Sequence, residues 1–236
     1  MTTSSAQGAT AATFGPDGFT GTLAVLGGTG EQGRGLATRF AAAGVRVIIG
    51  SRDAERAHAI AKEIGSDVVG LANTEAARAA DIVIVAVPWD GHAALVEQLA
   101  PDLAGKIVVD CVNPLGFDKS GAFALPVTEG SAAQQAQQLA PEAIVVAAFH
   151  HVSAALLLDN DVATIDTDVM VVGDDRAATD LVQQLAGLIP GVRGVYAGRL
   201  RNAGQVEALT ANLISANRRY KAHTGIRITD LPSEDE

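Results

Sequence analysis

The sequence predicts an α/β protein in which a doubly wound parallel sheet is clothed by helices on both faces, with a small C-terminal α/β extension. Three observations lead there. Short β-prone apolar runs alternate with stretches of helical periodicity from Thr22 to Phe149. The strongest run, DIVIVAVPW at Asp81 to Trp89, is continuously apolar, as in a parallel strand buried on both faces. The first run, TLAVL at Thr22 to Leu26, ends in the glycine turn GGTGEQG and opens directly into a helix.

In that helix Leu36, Phe40 and Ala43 recur at helical spacing, and Gly44 supplies the stop. VRVIIG at Val45 to Gly50 is too short for a helix and reads as the second strand. A helix over Ala54 to Gly65, a short strand over Val68 to Gly70 and a short helix over Thr74 to Ala79 capped by Asn73 follow. Pro88 ends the fourth strand. Helical periodicity from His92 to Leu99, a strand over Lys106 to Cys111, a helix over Ser131 to Leu139 and a strand over Ala143 to Phe149 complete six strands. Asn113 to Gly130, rich in glycine and proline, reads as a long loop at the C-terminal end of a strand, where such loops line sites. Further on, Val169 to Asp175, a helix over Ala177 to Leu188, Val192 to Gly198 and a helix over Val206 to Tyr220 form the extension. The expected organisation is a flexible N-terminal arm (1–21), a nucleotide-binding domain (22–154), a small C-terminal domain (155–229) and an acidic tail (230–236).

Composition narrows the function. With 236 residues, 48% hydrophobic and 19% charged, the chain buries a core and is not of the disordered or low-complexity class. The single cysteine, Cys111, forms no internal disulfide and suits a reducing cytoplasm. The formal charge of -10 speaks against nucleic acid or an anionic membrane as a partner. No apolar run approaches the 18 or so residues of a membrane helix, and Met1 to Gly21 lacks the pattern of a secretory signal. Charge is uneven, however. Six cations against Glu207 give Arg199 to Ile228 a net +5 and leave -15 for the rest. Both a solubilising helix face and an anionic small-molecule contact fit that segment.

Gly28, Gly30 and Gly33 stand in G-x-G-x-x-G register between strand and helix, the Rossmann-type dinucleotide fingerprint. Gly28 is expected to permit the turn, Gly30 the approach of a pyrophosphate, and Gly33 the packing of helix on strand. The second strand ends in Gly50-Ser51-Arg52, without the acidic residue that holds the ribose hydroxyls of NAD. Ser51, Arg52 and Arg56 instead suit a 2′-phosphate and predict NADP, with Thr29 adding a hydroxyl. The competing reading gives Asp53 the acidic role.

Pro88 and Trp89 end the fourth strand, Asn113 follows the fifth, and His150 and His151 follow the sixth, all where the nicotinamide half enters such folds. The adjacent histidines, with no cysteine or ordered carboxylates beside them, do not suggest a metal site. No decisive catalytic side chain stands out. Lys221 with His223 keeps open an NADP-dependent dehydrogenase of a small oxyacid, and a non-enzymatic NADP-sensing protein is a further alternative.

The ordered set GGTGEQGRGLA, GSRDAER, AVPWDGH, VVDCVNPL, VAAFHHVSA and QVEALTANLISANRRYKAHTGIRI resembles the NADPH-dependent oxidoreductases of coenzyme F420 across Thr22 to Ile228. The resemblance implies a cytoplasmic homodimer that moves a hydride reversibly between NADPH and the deazaflavin of F420, with no catalytic side chain because the cofactors are simply aligned. It places Thr29, Ser51, Arg52 and Arg56 around the 2′-phosphate, Pro88 and Trp89 near the nicotinamide ribose, and His150, Val152 and Ser153 beside the paired rings. F420 carries a phosphate and a carboxylated tail, which offers the positive C-terminal segment a partner.

Overall fold

Structure begins inside the expected arm. The computed structural model describes residues 12–15, 18–65 and 67–231. Strands β1 (Thr13–Gly15) and β2 (Gly18–Thr20) form an antiparallel hairpin. Phe14 and Phe19 contact one another with ring centres 5.2 Å apart and pack, with buried Ala12, on the main core. This part of the expected arm is therefore held by apolar burial. Residues 1–11 of the arm and 232–236 of the acidic tail lie outside the described residues.

The alternation that follows is β3 (Thr22–Leu26), α1 (Glu31–Ala42), β4 (Arg46–Ser51), α2 (Ala54–Ile64), β5 (Val69–Ala72), α3 (Asn73–Ala79), β6 (Ile82–Val85), α4 (Trp89–Leu103) and β7 (Ile107–Asp110). A second hairpin, β8 (Leu115–Asp118) and β9 (Gly121–Ala124), precedes α5 (Ala132–Leu139) and β10 (Ile144–Ala147). The chain continues through α6 (Ala154–Leu158), β11 (Thr167–Gly173), α7 (Arg176–Gly187), β12 (Val192–Gly198) and α8 (Ala203–Tyr220). Strands β5, β4, β3, β6, β7 and β10 lie side by side in that order, all parallel. The winding reverses between β3 and β6, which opens a crevice at their C-terminal ends. Strand β11 then joins β10 antiparallel, and β12 joins β11. One sheet thus runs through residue 154, and the C-terminal strands lengthen its edge.

Period-two geometry explains the continuous apolar runs. Ile82 and Ile84 enter one core with Leu23 and Val25, beneath α1, α2, α6 and α7. Val83 and Val85 enter the other with Ala24 and Leu26, beneath α3, α4, α5 and the start of α8. Fully buried Leu23, Leu36, Ile82 and Ile84 each stabilise the fold by about 1.5–3 kcal/mol relative to exposure.

Three local expectations are corrected. Asn73 is the first residue inside α3 and makes no capping bond, because β5 pairs as far as Ala72 and passes directly into the helix. The expected loop from Asn113 to Gly130 holds the hairpin β8–β9, turned where Asp118 Oδ1 accepts the N–H groups of Ser120 and Gly121. Trp89 opens α4 directly after Pro88. In addition, Arg39 on α1 donates to the carbonyls of Leu156, Leu157, Asp159 and Val162 at 2.7–2.9 Å, closing the C-terminal end of α6 with a cation.

The segment after α8 is strapped to β11. Asp168, fully buried, accepts from Arg193 Nε and Nη2 at 3.0 and 2.8 Å, from Arg227 Nη1 at 2.7 Å and from the Ile228 N–H at 2.6 Å. Burial alone would raise its pKa, but these donors hold it down at about 2. The folded value lies below the ordinary 3.8, so its contribution of about 2 kcal/mol is present above pH 4 and is lost as pH falls toward 2. Asp168→Asn should cost about 3 kcal/mol and flatten the acid limb of stability, measured by urea unfolding between pH 7 and pH 2. An unchanged acid limb would contradict this assignment.

Candidate active site

At the end of β3 the chain turns through Gly27, whose φ of 75° is left-handed and whose added Cβ would lie 2.5 Å from Ala86 O. The tight turn expected at Gly28 falls one residue earlier. Gly28 is required for a different reason, since its Cβ would sit 2.8 Å from Val25 O. A Cβ on Gly33 would meet Gly27 O at 2.7 Å and Gly28 Cα at 2.8 Å, so α1 rests directly on the loop. Gly30 has more room: its Cβ would find only Gly27 O, at 3.4 Å. Gly30 also caps α1 without a side-chain bond, which leaves the first N–H groups of the helix to an acceptor from outside.

Thr29, Ser51, Arg52 and Arg56 gather beside this turn. Arg56 Nη2 reaches Thr29 O at 3.5 Å, and Ser51 Oγ, at the end of β4, accepts the Asp53 N–H at 3.2 Å. Arg52 is exposed and makes no ion pair among the described residues. Asp53 caps α2, its Oδ1 accepting the Arg56 N–H at 3.1 Å, so the carboxylate serves the helix terminus.

Pro88, Trp89, Asn113, His150, Val152 and Ser153 line one cavity of about 530 Å³. Glu31 and Gln32 line it too, which makes it continuous with the glycine turn, and Thr210, Leu213 and Ile214 of α8 form the opposite wall. The backbone that presents His150 is constrained. Phe149 is buried with a left-handed φ of 63°, its ring edge-on to Phe40, and its carbonyl accepts from Gln32 Nε2 at 3.1 Å. The next carbonyl, of His150, accepts from Asn113 Nδ2 at 2.8 Å and from Thr210 Oγ1 at 3.0 Å.

His150 is among the residues that line the cavity. Both ring nitrogens are buried without a partner among the described residues. Burial, reinforced by neighbouring His151 and opposed by Asp110, lowers its pKa to about 4, so at neutral pH it offers one N–H and one lone pair. His151 Nε2 donates to Asp168 O at 2.8 Å instead. Cys111, in the cavity wall, donates its thiol to Val85 O at 3.1 Å, and burial pushes its pKa far up; it is no nucleophile.

Sequence reasoning missed a buried polar group behind this wall. His92 Nε2 meets Asp110 Oδ2 at 2.6 Å and Nδ1 meets Gln135 Oε1 at 3.0 Å, while Asp110 Oδ1 accepts the Val112 N–H at 3.0 Å. Glu207 accepts the N–H groups of Ala132 and Ala133 at the start of α5. His92, Asp110 and Glu207 lie in segments that carry the family resemblance, but no role was read for them there. Lys221 lies outside the cavity, and His223 reaches Ser153 Oγ only at 3.4 Å, so the expected lysine–histidine pair has no place at its centre.

The family model described as NADP oxidoreductase, coenzyme F420-dependent, matches residues 22–114. An F420-dependent NADP reductase of Methanocaldococcus jannaschii is 40% identical over 222 residues, covering 89% of this chain and 98% of its own. That of Methanothermobacter thermautotrophicus is 39% identical over 225 residues, covering 90% and 97%. A solved Arthrobacter structure described as an F420-dependent NADP-reductase superimposes with a TM-score of 0.75 at 29% identity, over 89% of this chain and all of that one. The chain belongs to the family of F420-dependent NADP reductases.

Proposed function

We propose that the protein transfers a hydride reversibly between NADPH and coenzyme F420. The observation that carries this reading is a cavity of about 530 Å³ that runs from the start of α1, beside the glycine turn, to the strand ends at Pro88, Asn113 and His150. The nicotinamide donates or receives the hydride directly at the deazaflavin, so that step needs no side chain to carry a proton.

The residues on hand suit these ligands. The open surface at Gly30 and the uncapped start of α1 accept a pyrophosphate, while Ser51, Arg52, Arg56 and Thr29 surround a 2′-phosphate. Pro88, Trp89 and Asn113 border the nicotinamide side. Val152, Ser153 and His150 border the rings. Such walls exclude water and hold the reacting carbons together, and alignment is the chain's contribution to rate.

The positive C-terminal segment has a place in the same reading. A second groove, between the hairpin β8–β9 and α8, is lined by Lys119, Arg218 and Arg219 and shares Ile214 with the ring cavity. None of the three cations makes an ion pair among the described residues. We assign this groove to the anionic tail of F420. The resemblance to the family further supports a cytoplasmic homodimer, which sedimentation of the pure protein checks.

Mixing the purified protein with F420 and NADPH should bleach the deazaflavin absorbance, and excess NADP with reduced F420 should restore it; no exchange over a broad pH range refutes the function. Arg52→Ala should weaken NADPH binding by about 1.5–3 kcal/mol and leave NADH binding nearly unchanged, measured by calorimetric titration; equal losses would assign Arg52 to the fold. Arg218→Ala with Arg219→Ala should raise the F420 concentration at half-maximal rate about fivefold at low salt, and much less at 1 M salt, with the NADPH requirement unchanged. Unaltered F420 kinetics in the folded double variant would remove the tail from this groove.

A further inference from the structure

We infer that His92 is an imidazolium at neutral pH that positions Trp89, and with it one wall of the cofactor cavity. The geometry of the ring's partners carries this. Nε2 lies 2.6 Å from Asp110 Oδ2, a carboxylate oxygen that can only accept. Nδ1 lies 3.0 Å from Gln135 Oε1, and the direction of that amide is set from its other end, where Gln135 Nε2 donates to Glu129 Oε2 at 3.3 Å. Both ring nitrogens therefore face acceptors, and with Asp110 ionised the doubly protonated ring satisfies both. His92 and Asp110 are fully buried, so an absent ring proton would leave two acceptors opposed in a low-dielectric site.

The carboxylates around the ring favour the cation, Asp110 foremost and Glu207, whose own pKa burial raises to about 7, as it ionises. Asp110 faces it from β7, Glu207 from α8, and Gln135, backed by Glu129, from α5. The remaining helix packed on α4 is α3, whose Arg78 is paired to Asp102, ten residues further along α4, and whose Glu75 is exposed. Burial acts to lower the pKa of His92, but Asp110, Gln135 and Glu207 together outweigh it and the net shift is upward.

The charge has two contacts that reach the site. Trp89 stacks on the His92 ring with centres 5.5 Å apart and planes 28° from parallel, a cation against the face of an indole that lines the cavity. Asp110, held by His92, fixes the Val112 N–H with its other oxygen, one residue before Asn113. His92 thus acts through Trp89 and the Val112–Asn113 backbone and touches no ligand itself: it is a positioning residue. Its kinetic consequence rests on the function proposed above; its charge state does not.

The charge state is read on the wild-type protein with ¹⁵N-labelled histidine. His92 should keep both ring nitrogens protonated well above the free imidazole value of about 6.5, while His150 and His151 are neutral there. Trp89 is the chain's only tryptophan, so its emission reports the stacked ring directly. An imidazolium accepts an excited electron from indole more readily than a neutral imidazole does, and emission should rise in one alkaline step as His92 loses its proton. His92→Gln, which keeps a polar side chain and loses the charge, should abolish the step and lower kcat by about 10- to 100-fold with the KM for NADPH unchanged. Asp110→Asn should move the step to lower pH. A single ring proton on His92 at neutral pH, or an emission step that survives in His92→Gln, overturns the charge assignment. The expected spectra with unaltered kcat in folded His92→Gln overturn the positioning role and leave the proposed reaction standing, whereas a wild-type protein inactive with F420 refutes that reaction and leaves the charge assignment standing.

Discussion

A sheet covered on both faces leaves only the ends of its strands open to a ligand. That constraint organises the whole molecule. Because β4, β3, β6, β7 and β10 are parallel, their C-terminal ends meet along one edge, and there the chain places Ser51, the glycine turn, Pro88, Asn113 and His150 in succession. The two cores behind them are close-packed and apolar, so the edge is rigid where it has to be. The binding half of the site follows from backbone geometry: a helix start packed on a turn so tightly that Gly33 admits no side chain, next to a Gly30 that does.

The polar groups buried behind that edge hold its loops in place. Asp110 joins His92 to the Val112 N–H, Thr210 joins α8 to the His150 carbonyl, and Gln32 joins α1 to Phe149. The bonds of Gln32, Thr210 and His92 link elements 117, 60 and 18 positions apart, so the cavity's shape is set by tertiary structure. The exceptions are both ring nitrogens of His150, Nδ1 of His151 and Oδ1 of Asn73, buried without a partner among the described residues.

Local pattern revealed most of the parallel sheet, because strand and helix periods alternate cleanly from Thr22 to Phe149 and Gly28, Gly30 and Gly33 are spaced by the demands of one turn. The group proposed to face the 2′-phosphate is local for the same reason: Ser51, Arg52 and Arg56 lie within six residues at a strand end. Residues whose significance is purely tertiary were not. His92 and Asp110 stand 18 positions apart, each ordinary in its own segment, and Thr210 is one hydroxyl on a long helix. The left-handed Phe149 carries no glycine to announce it. The hairpin β8–β9 had a signal in Asp118 and Gly121, but its flanking residues are half exposed and do not alternate strongly enough to declare strands.

On the function proposed above, this chain aligns two ring systems for direct hydride transfer and takes no part in moving the hydride through a side chain or solvent. NADPH carrying deuterium at the transferable position of nicotinamide C4, mixed with F420 and the protein in ordinary water, tests it in one step. Mass spectrometry should find the label in the reduced deazaflavin from the first turnover. Reduced F420 free of deuterium would show that the hydrogen came from water, and would contradict direct transfer between aligned rings.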